Sequence, residues 1–199
     1  LDKIAKQPLP TYPVNFRNAS MTSLLSKLSI CLVLAIGFAS QAQGEIVYAN
    51  NAVTGNQGWT GSLGMDFTVN STITVTQIGV FDSGQDGIVN TLTALIYNTD
   101  TGSAVFGTLR SFSGTEGTLV GGSRFKNLTG SGVTIGPGNY TIAAWGFSDA
   151  DKNGNDGLAG LSAGTDWTFN NVGGSISATG SSRYNNSGVI GYPINDNID

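Results

Sequence analysis

Apolar and polar residues alternate over short stretches of this chain, which is the pattern of a β-strand with one buried face. The clearest case is the stretch 62–69, where four apolar residues share one parity: Leu63, Met65, Phe67 and Val69. The stretch 72–81 also alternates, but its apolar phase shifts partway along, which predicts a β-bulge near Thr76–Gln77.

The same pattern predicts a series of further strands. They fall at residues 90–98, 103–112, 118–128, 136–147, 166–171, 175–179 and 187–192. Gly121 and Gly122 interrupt one of these stretches and predict a bulge or a close backbone approach there. No segment after residue 43 shows sustained helical periodicity. Short strands separated by turns predict an all-β fold, either an antiparallel β-sandwich or a jelly roll.

One segment has a different character and is interpreted as a signal peptide. Lys27 precedes an apolar run at 28–39, which is too short for a permanent transmembrane helix, and Ser40–Ala42 has the small-x-small form of a cleavage site. A buried core helix is the alternative interpretation of this run. We therefore expect three parts, the last of them shortened at its C-terminal end: an upstream translated segment outside the fold (1–20), the signal peptide (21–42) and a single β-sandwich domain (43–199).

The amino-acid composition limits the reactions that this domain could catalyse and the metals that it could bind. The chain has no histidine, which removes the usual general base and the commonest metal ligand. Its one cysteine, Cys31, lies in the signal peptide, so a thiol nucleophile, a thiolate zinc site and an internal disulfide are excluded from 43–199. Glu45 and Glu116 lie in unsuitable places for a glycosidase pair, and no G-x-S-x-G motif occurs. We expect a non-enzyme, with an aspartate-based hydrolase as the remaining catalytic alternative.

The net charge of the predicted domain indicates which partners it could bind. The segment 43–199 carries five basic and twelve acidic residues, so it is more acidic than the whole chain, whose formal net charge is −4. An acidic surface repels phosphate backbones, and we therefore expect no nucleic-acid partner. We also expect no membrane span in the mature chain, and a secreted or cell-surface location.

The stretch "SDADKNGNDG" at 148–157 is the candidate calcium site. Its oxygen-bearing side chains alternate as in the first half of an EF-hand loop: Asp149, Asp151, Asn153 and Asn155. The second half of the stretch does not match an EF-hand loop, because Gly160 stands where a bidentate glutamate is needed. A complete site would need carboxylates from elsewhere, and Asp82 and Asp86 are the first candidates.

A second interpretation of the same stretch is a polar turn, in which Asp and Asn side chains cap the backbone. Asp156 and Asp166 are further candidate ligands if calcium is bound. The sequence leaves both interpretations open.

Three tryptophans are candidates for stacking on sugar rings: Trp59, Trp145 and Trp167. Packing in the core or at its rim is the alternative for each of them. Trp59 lies in the Gly-rich stretch "GNQGWTGS" and is the best candidate for exposure. Arg124, inside a predicted strand, is expected to form a structural ion pair with an acid such as Asp66.

The stretches "GNQGWTGSLGMDFTV", "ITVTQIGVFDSGQDG", "LVGGSRF" and "GPGNYTIAAWGF" together resemble a family of secreted bacterial β-sandwich domains. These domains occur in proteins with PEP-CTERM sorting tails from Planctomycetes and Verrucomicrobia-type bacteria. The resemblance covers roughly residues 46–192 and implies an exported, surface- or matrix-associated module without catalytic residues.

These observations predict a non-catalytic extracellular module that binds a glycan or a matrix component and is stabilised by calcium. The alternative is a structural subunit or adhesin that self-associates by pairing β-strands along open sheet edges.

Overall fold

The structure, a computed structural model, describes residues 44–50, 54–154, 167–188 and 190–197. The expected upstream segment and signal peptide lie outside the described residues, and so do Asn155, Asp156 and Asp166. The described residues include no helix that is long and apolar enough to cross a membrane.

The described chain is built from β-strands joined by turns. The strands are β1 (Tyr48–Asn50), β2 (Ser62–Val69), β3 (Ile73–Val75), β4 (Gln77–Phe81), β5 (Ile88–Asn98), β6 (Ser103–Ala104), β7 (Arg110–Gly114), β8 (Thr118–Val120), β9 (Ser123–Asn127), β10 (Val133–Ile135), β11 (Gly138–Trp145), β12 (Trp167–Phe169), β13 (Ile176–Asn185) and β14 (Asn195–Asn197).

The largest sheet has seven strands in the order β14-β13-β2-β11-β5-β6, and β7 also pairs with β5. The smaller sheets are β4-β9-β8, β10-β3 and β1-β12. The strand pairs are antiparallel, from β2 with β11 to β8 with β9. The predicted all-β class is confirmed, and the jelly-roll order stays a prediction.

The main core lies between the seven-stranded sheet and the smaller sheets, as in a β-sandwich. Leu92 and Ile96 of β5 belong to the same buried cluster as Ile78 and Val80 of β4 and Ile135 of β10. Because side chains alternate along β5, Leu92, Ala94 and Ile96 all point into this cluster. We call this side of the large sheet its inner face.

The opposite, outer face of the large sheet carries a second, smaller apolar cluster. Leu95, Tyr97, Ala143 and Trp145 form it, and Tyr192 packs against them with its ring centroid 5.5 Å from that of Tyr97. Tyr192 belongs to residues 190–194, which we call the strap. Burial of Tyr97 raises the pKa of its phenol above the usual value near 10.0.

The strap lies close to the sheet because glycine occupies position 64 of β2. A Cβ atom at Gly64 would lie 3.1 Å from Pro193 Cγ and 2.7 Å from Thr141 Oγ1. Pro193 is almost fully buried as a result. A larger residue at position 64 would therefore displace the strap.

The predicted bulge near Thr76 is a break between two strands of different sheets, the Gly121–Gly122 interruption is the turn of a hairpin, and one predicted strand is wrong. Thr76 separates β3 from β4, and its carbonyl accepts a hydrogen bond from Leu128 N at 2.8 Å. Gly121 and Gly122 separate β8 from β9. The predicted strand at 187–192 is not formed in the described residues, because this stretch leads into the strap, and β14 pairs with β13 instead.

Candidate functional site: a polar groove on the outer face

A polar groove of about 280 Å³ crosses the outer face of the large sheet beside the strap. Strands β2 and β11 lie at its centre, with β13 on one side and the turn between β5 and β6 on the other. Its polar lining residues are Asp66, Thr99, Asp100, Asn139, Thr179, Ser181 and Arg183. The volume is near the lower end of the range of roughly 300–1,000 Å³ for small-molecule sites.

An ion pair holds one end of the groove. Arg183 Nε lies 2.9 Å from Asp66 Oδ1 and 2.8 Å from Asp66 Oδ2. Both side chains are largely buried, so the pair is shielded from bulk water. Arg183 also lies over the Tyr192 ring, 5.7 Å from its centroid, which ties this end of the groove to the strap.

Hydrogen-bonded polar side chains lead to the other end of the groove, where Asn139 and Asp100 are exposed. Thr68 Oγ1 donates to Asn139 Oδ1 at 3.1 Å, and Asn139 Nδ2 donates to Asp100 Oδ1 at 3.3 Å. Asp100 forms no ion pair with the described residues. Its carboxylate therefore retains acceptor capacity for hydroxyl or ammonium groups.

The irregular middle of β13 shapes the groove on its other side. The register between β13 and β2 shifts between Ala178 and Ser182, and Gly180 has a φ of 75° in the left-handed region. Thr179 Oγ1 donates to the carbonyl of Asp66 at 3.1 Å. This contact fixes the bulge against β2.

A larger depression of about 580 Å³ lies near the turn after β12. Phe169, Asn170, Asn171 and Ile176 are among its lining residues, and none of its lining residues carries a charge. We favour the groove as the candidate site because charged and amide side chains converge there with their geometry fixed by hydrogen bonds.

Of the three candidate tryptophans, the structure describes the side chains of Trp59 and Trp145. Trp145 is 6% exposed in the outer-face cluster, so the expectation of an exposed ring does not hold for it. Trp59 is half-buried and contacts Tyr184 edge-to-face at 6.1 Å, and its Nε1 is buried without a partner among the described residues. Trp167 pairs through its backbone with Asn50, and its side chain lies outside the described part.

The aspartate loop docks against the beginning of β5. Asp151 is 3% exposed, and its carboxylate oxygens accept hydrogen bonds from Val89 N at 2.8 Å and Asn90 N at 2.7 Å. Asn153 pairs with Gln57 through both backbone and side-chain hydrogen bonds. These two predicted ligands are thus used as structural hydrogen-bond partners.

Asp82 has a similar structural use. It is fully buried, with Oδ2 2.5 Å from Arg124 Nε and Oδ1 accepting from Gly87 N at 3.2 Å. The predicted ion pair of Arg124 is therefore present, but its expected partner, Asp66, is wrong. Arg124 lies on β9 of a different sheet, whereas Asp66 pairs with Arg183.

Asp86 and Asp149 are the exposed members of the predicted calcium set. No group of three or more acidic, cysteine or histidine side chains suited to a metal ion occurs among the described residues. The two buried carboxylates already accept backbone or guanidinium hydrogens, which favours the polar-turn interpretation for Asp151 and a structural role for Asp82. Calcium binding stays a prediction.

Comparisons with models of known protein families, with curated proteins and with solved structures each found no match to this chain. The resemblance to secreted bacterial β-sandwich domains therefore stays a prediction.

Proposed function

We propose that this chain is a secreted, non-catalytic module that binds an extracellular glycan in the outer-face groove. The observation that supports this most is the convergence of a carboxylate–guanidinium pair and a carboxylate–amide pair in one shallow groove. Such planar groups, held in place by their neighbours, can exchange hydrogen bonds with adjacent sugar hydroxyls in fixed directions.

The charges of the groove favour neutral or amino sugars. The charge of Asp66 is balanced by Arg183, whereas Asp100 adds an unbalanced negative charge. Uronic acids and sulfated sugars would bring like charge to Asp100 and be disfavoured. An ammonium group would be attracted to the same carboxylate.

A glycan array with neutral, amino and acidic polysaccharides tests this proposal. We expect retention on a neutral or amino glycan, and at least about a tenfold loss of affinity when Asp100→Ala and Asn139→Ala are combined. Asn127→Ala is the matched control, because Asn127 is an exposed strand amide bonded to Gln77 outside the groove. Absence of retention, or equal retention by the double variant, would contradict the proposal.

A second candidate function is that of a structural subunit or adhesin that assembles by strand pairing. The observation that favours it is the open edge of β8, where Leu119 and Val120 are each 38% exposed and no strand of the described chain pairs on the outer side. Light scattering over a wide concentration range tests it. A monomer at every concentration would count against assembly.

A further inference from the structure

The most exposed apolar side chain of the described structure is that of Phe106, which is 96% exposed. It lies in the turn at 105–109, which separates β6 from β7 at one edge of the large sheet and which we call the Phe106 turn. Leu109, in the same turn, is 44% exposed. Isolated exposed apolar residues are common, so Phe106 needs a further reason to be functional.

That reason is the network of hydrogen bonds that holds the backbone of the Phe106 turn against β5. Thr108 is fully buried, and its Oγ1 donates to Val105 O at 2.8 Å and accepts from Ile96 N at 3.1 Å. Val105 N in turn donates to Ile96 O at 2.8 Å. The turn is thereby fixed to β5, so binding through Phe106 would not have to order the backbone that carries it.

Arg110 supports the same turn from its other side. Its guanidinium donates to the carbonyls of Gly107, Leu109 and Asn127 and to Thr129 Oγ1. Its hydrogen-bonding groups are thus directed at the protein itself. An arginine used in this way is poorly placed to recruit an anionic ligand or lipid.

Apart from Arg110, whose guanidinium donates to the carbonyls of Gly107 and Leu109, the segments around Phe106 carry no charge. Residues 103–109 and 128–134 carry no charged side chain, and Gly107 brings the two segments together near Val133. The chain as a whole is acidic, with a formal net charge of −4. Two copies of an acidic protein approach each other most easily through an uncharged surface.

We propose that the Phe106 turn is a contact between two copies of this chain. The adjacent strand β6 pairs with β5 on one side, and no strand of the described chain pairs on its other side. An open edge beside an apolar anchor suits a two-fold contact, in which each copy offers the same patch. The proposal rests on the second candidate function, self-association, but it assigns the contact to this edge instead of the edge of β8. It is independent of glycan binding.

The edge of β8 is less suitable for such a contact, because Leu119 and Val120 are each 38% exposed whereas Phe106 is 96% exposed. An ion pair also lies beside β8, where Lys126 Nζ is 2.8 Å from Glu116 Oε2. A contact between two β8 edges would have to remove water from this pair, which costs free energy. Leu119 on β8 serves as the matched control for Phe106.

Sedimentation equilibrium from about 10 µM to about 1 mM protein tests the proposal. For so small a patch we expect a weak dimer, with a Kd on the order of 0.1 mM. Phe106→Ser should weaken the dimer at least about tenfold, Phe106→Trp should retain it, and Leu119→Ser should leave it unchanged. Phe106→Ser should retain glycan binding, which separates this contact from the groove.

Three results would overturn the proposal. An equally strong dimer for Phe106→Ser would leave assembly intact and reject this surface. A wild-type monomer at every concentration would reject both the surface and the assembly function. Binding of the monomer to phosphatidylcholine vesicles, lost in Phe106→Ser, would show that the ring inserts into a lipid surface instead.

Discussion

The outer face of the large sheet has two halves that differ in how they meet solvent. One half carries Leu95, Tyr97 and Trp145 and is covered by the strap. The other half carries Thr68 and Asn139 and forms part of the open groove. Apolar side chains on this face need a cover, whereas hydrogen-bonding side chains do not. The covered half therefore contributes mainly to stability, and the open half is available for binding.

The largest expected effect comes from matched substitutions in the two halves. Trp145→Ala should lower the free energy of unfolding by about 3–5 kcal/mol, because it removes a buried ring and leaves a cavity. Asn139→Ala should change it by no more than about 0.5 kcal/mol, because the side chain is exposed. Urea denaturation of the three proteins measures both values. Similar losses for the two variants would show that the halves are not separate.

An intermediate effect is expected at alkaline pH. The folded protein holds the Tyr97 phenol neutral, since burial raises its pKa, while the unfolded chain ionises near pH 10.0. Tyr97 therefore contributes stability that is fully present below pH 10.0 and is lost as the pH rises through the folded pKa. Thermal unfolding of wild type and Tyr97→Phe from neutral to alkaline pH measures this. The variant should lose less stability, and parallel curves would contradict the assignment.

The smallest expected effect concerns calcium. Because Asp82 and Asp151 already accept hydrogen bonds from the protein, we expect the thermal midpoint to be the same in EGTA and in millimolar calcium. An increase with calcium that Asp149→Asn abolishes would show instead that residues beyond Gly154 complete a site. That result would restore the calcium interpretation.

The local parts of the fold were predictable from the sequence. Alternation fixed the face of each side chain in β2, and the phase shift at Thr76 marked the break between β3 and β4. β14 was missed because its sequence, Asn-Asp-Asn, has no apolar alternation and forms a strand only by pairing with β13. Strand formation at such a position depends on the neighbouring strand, not on local preference.

The groove was not predictable, since it depends on register. Asp66 and Arg183 lie 117 residues apart and meet only through the pairing of β2 with β13. The prediction singled out "SDADKNGNDG" because its signal is local, but Asp151 is used there to hold β5. A weak local clue to the groove was Gly180, which marks the bulge beside it.

The pairing of β2 also bears on how the chain acquires its structure. One neighbour of β2 is β11 and the other is β13, so the large sheet is complete only after pairs up to 123 residues apart, such as Ser62 with Asn185, have formed. Such long-range pairing makes folding slow. During synthesis the edge of β2 that pairs with β13 would stay unpaired until β13 leaves the ribosome. For the secretion proposed above, such late folding is compatible with passage through a translocation channel that admits an unfolded chain.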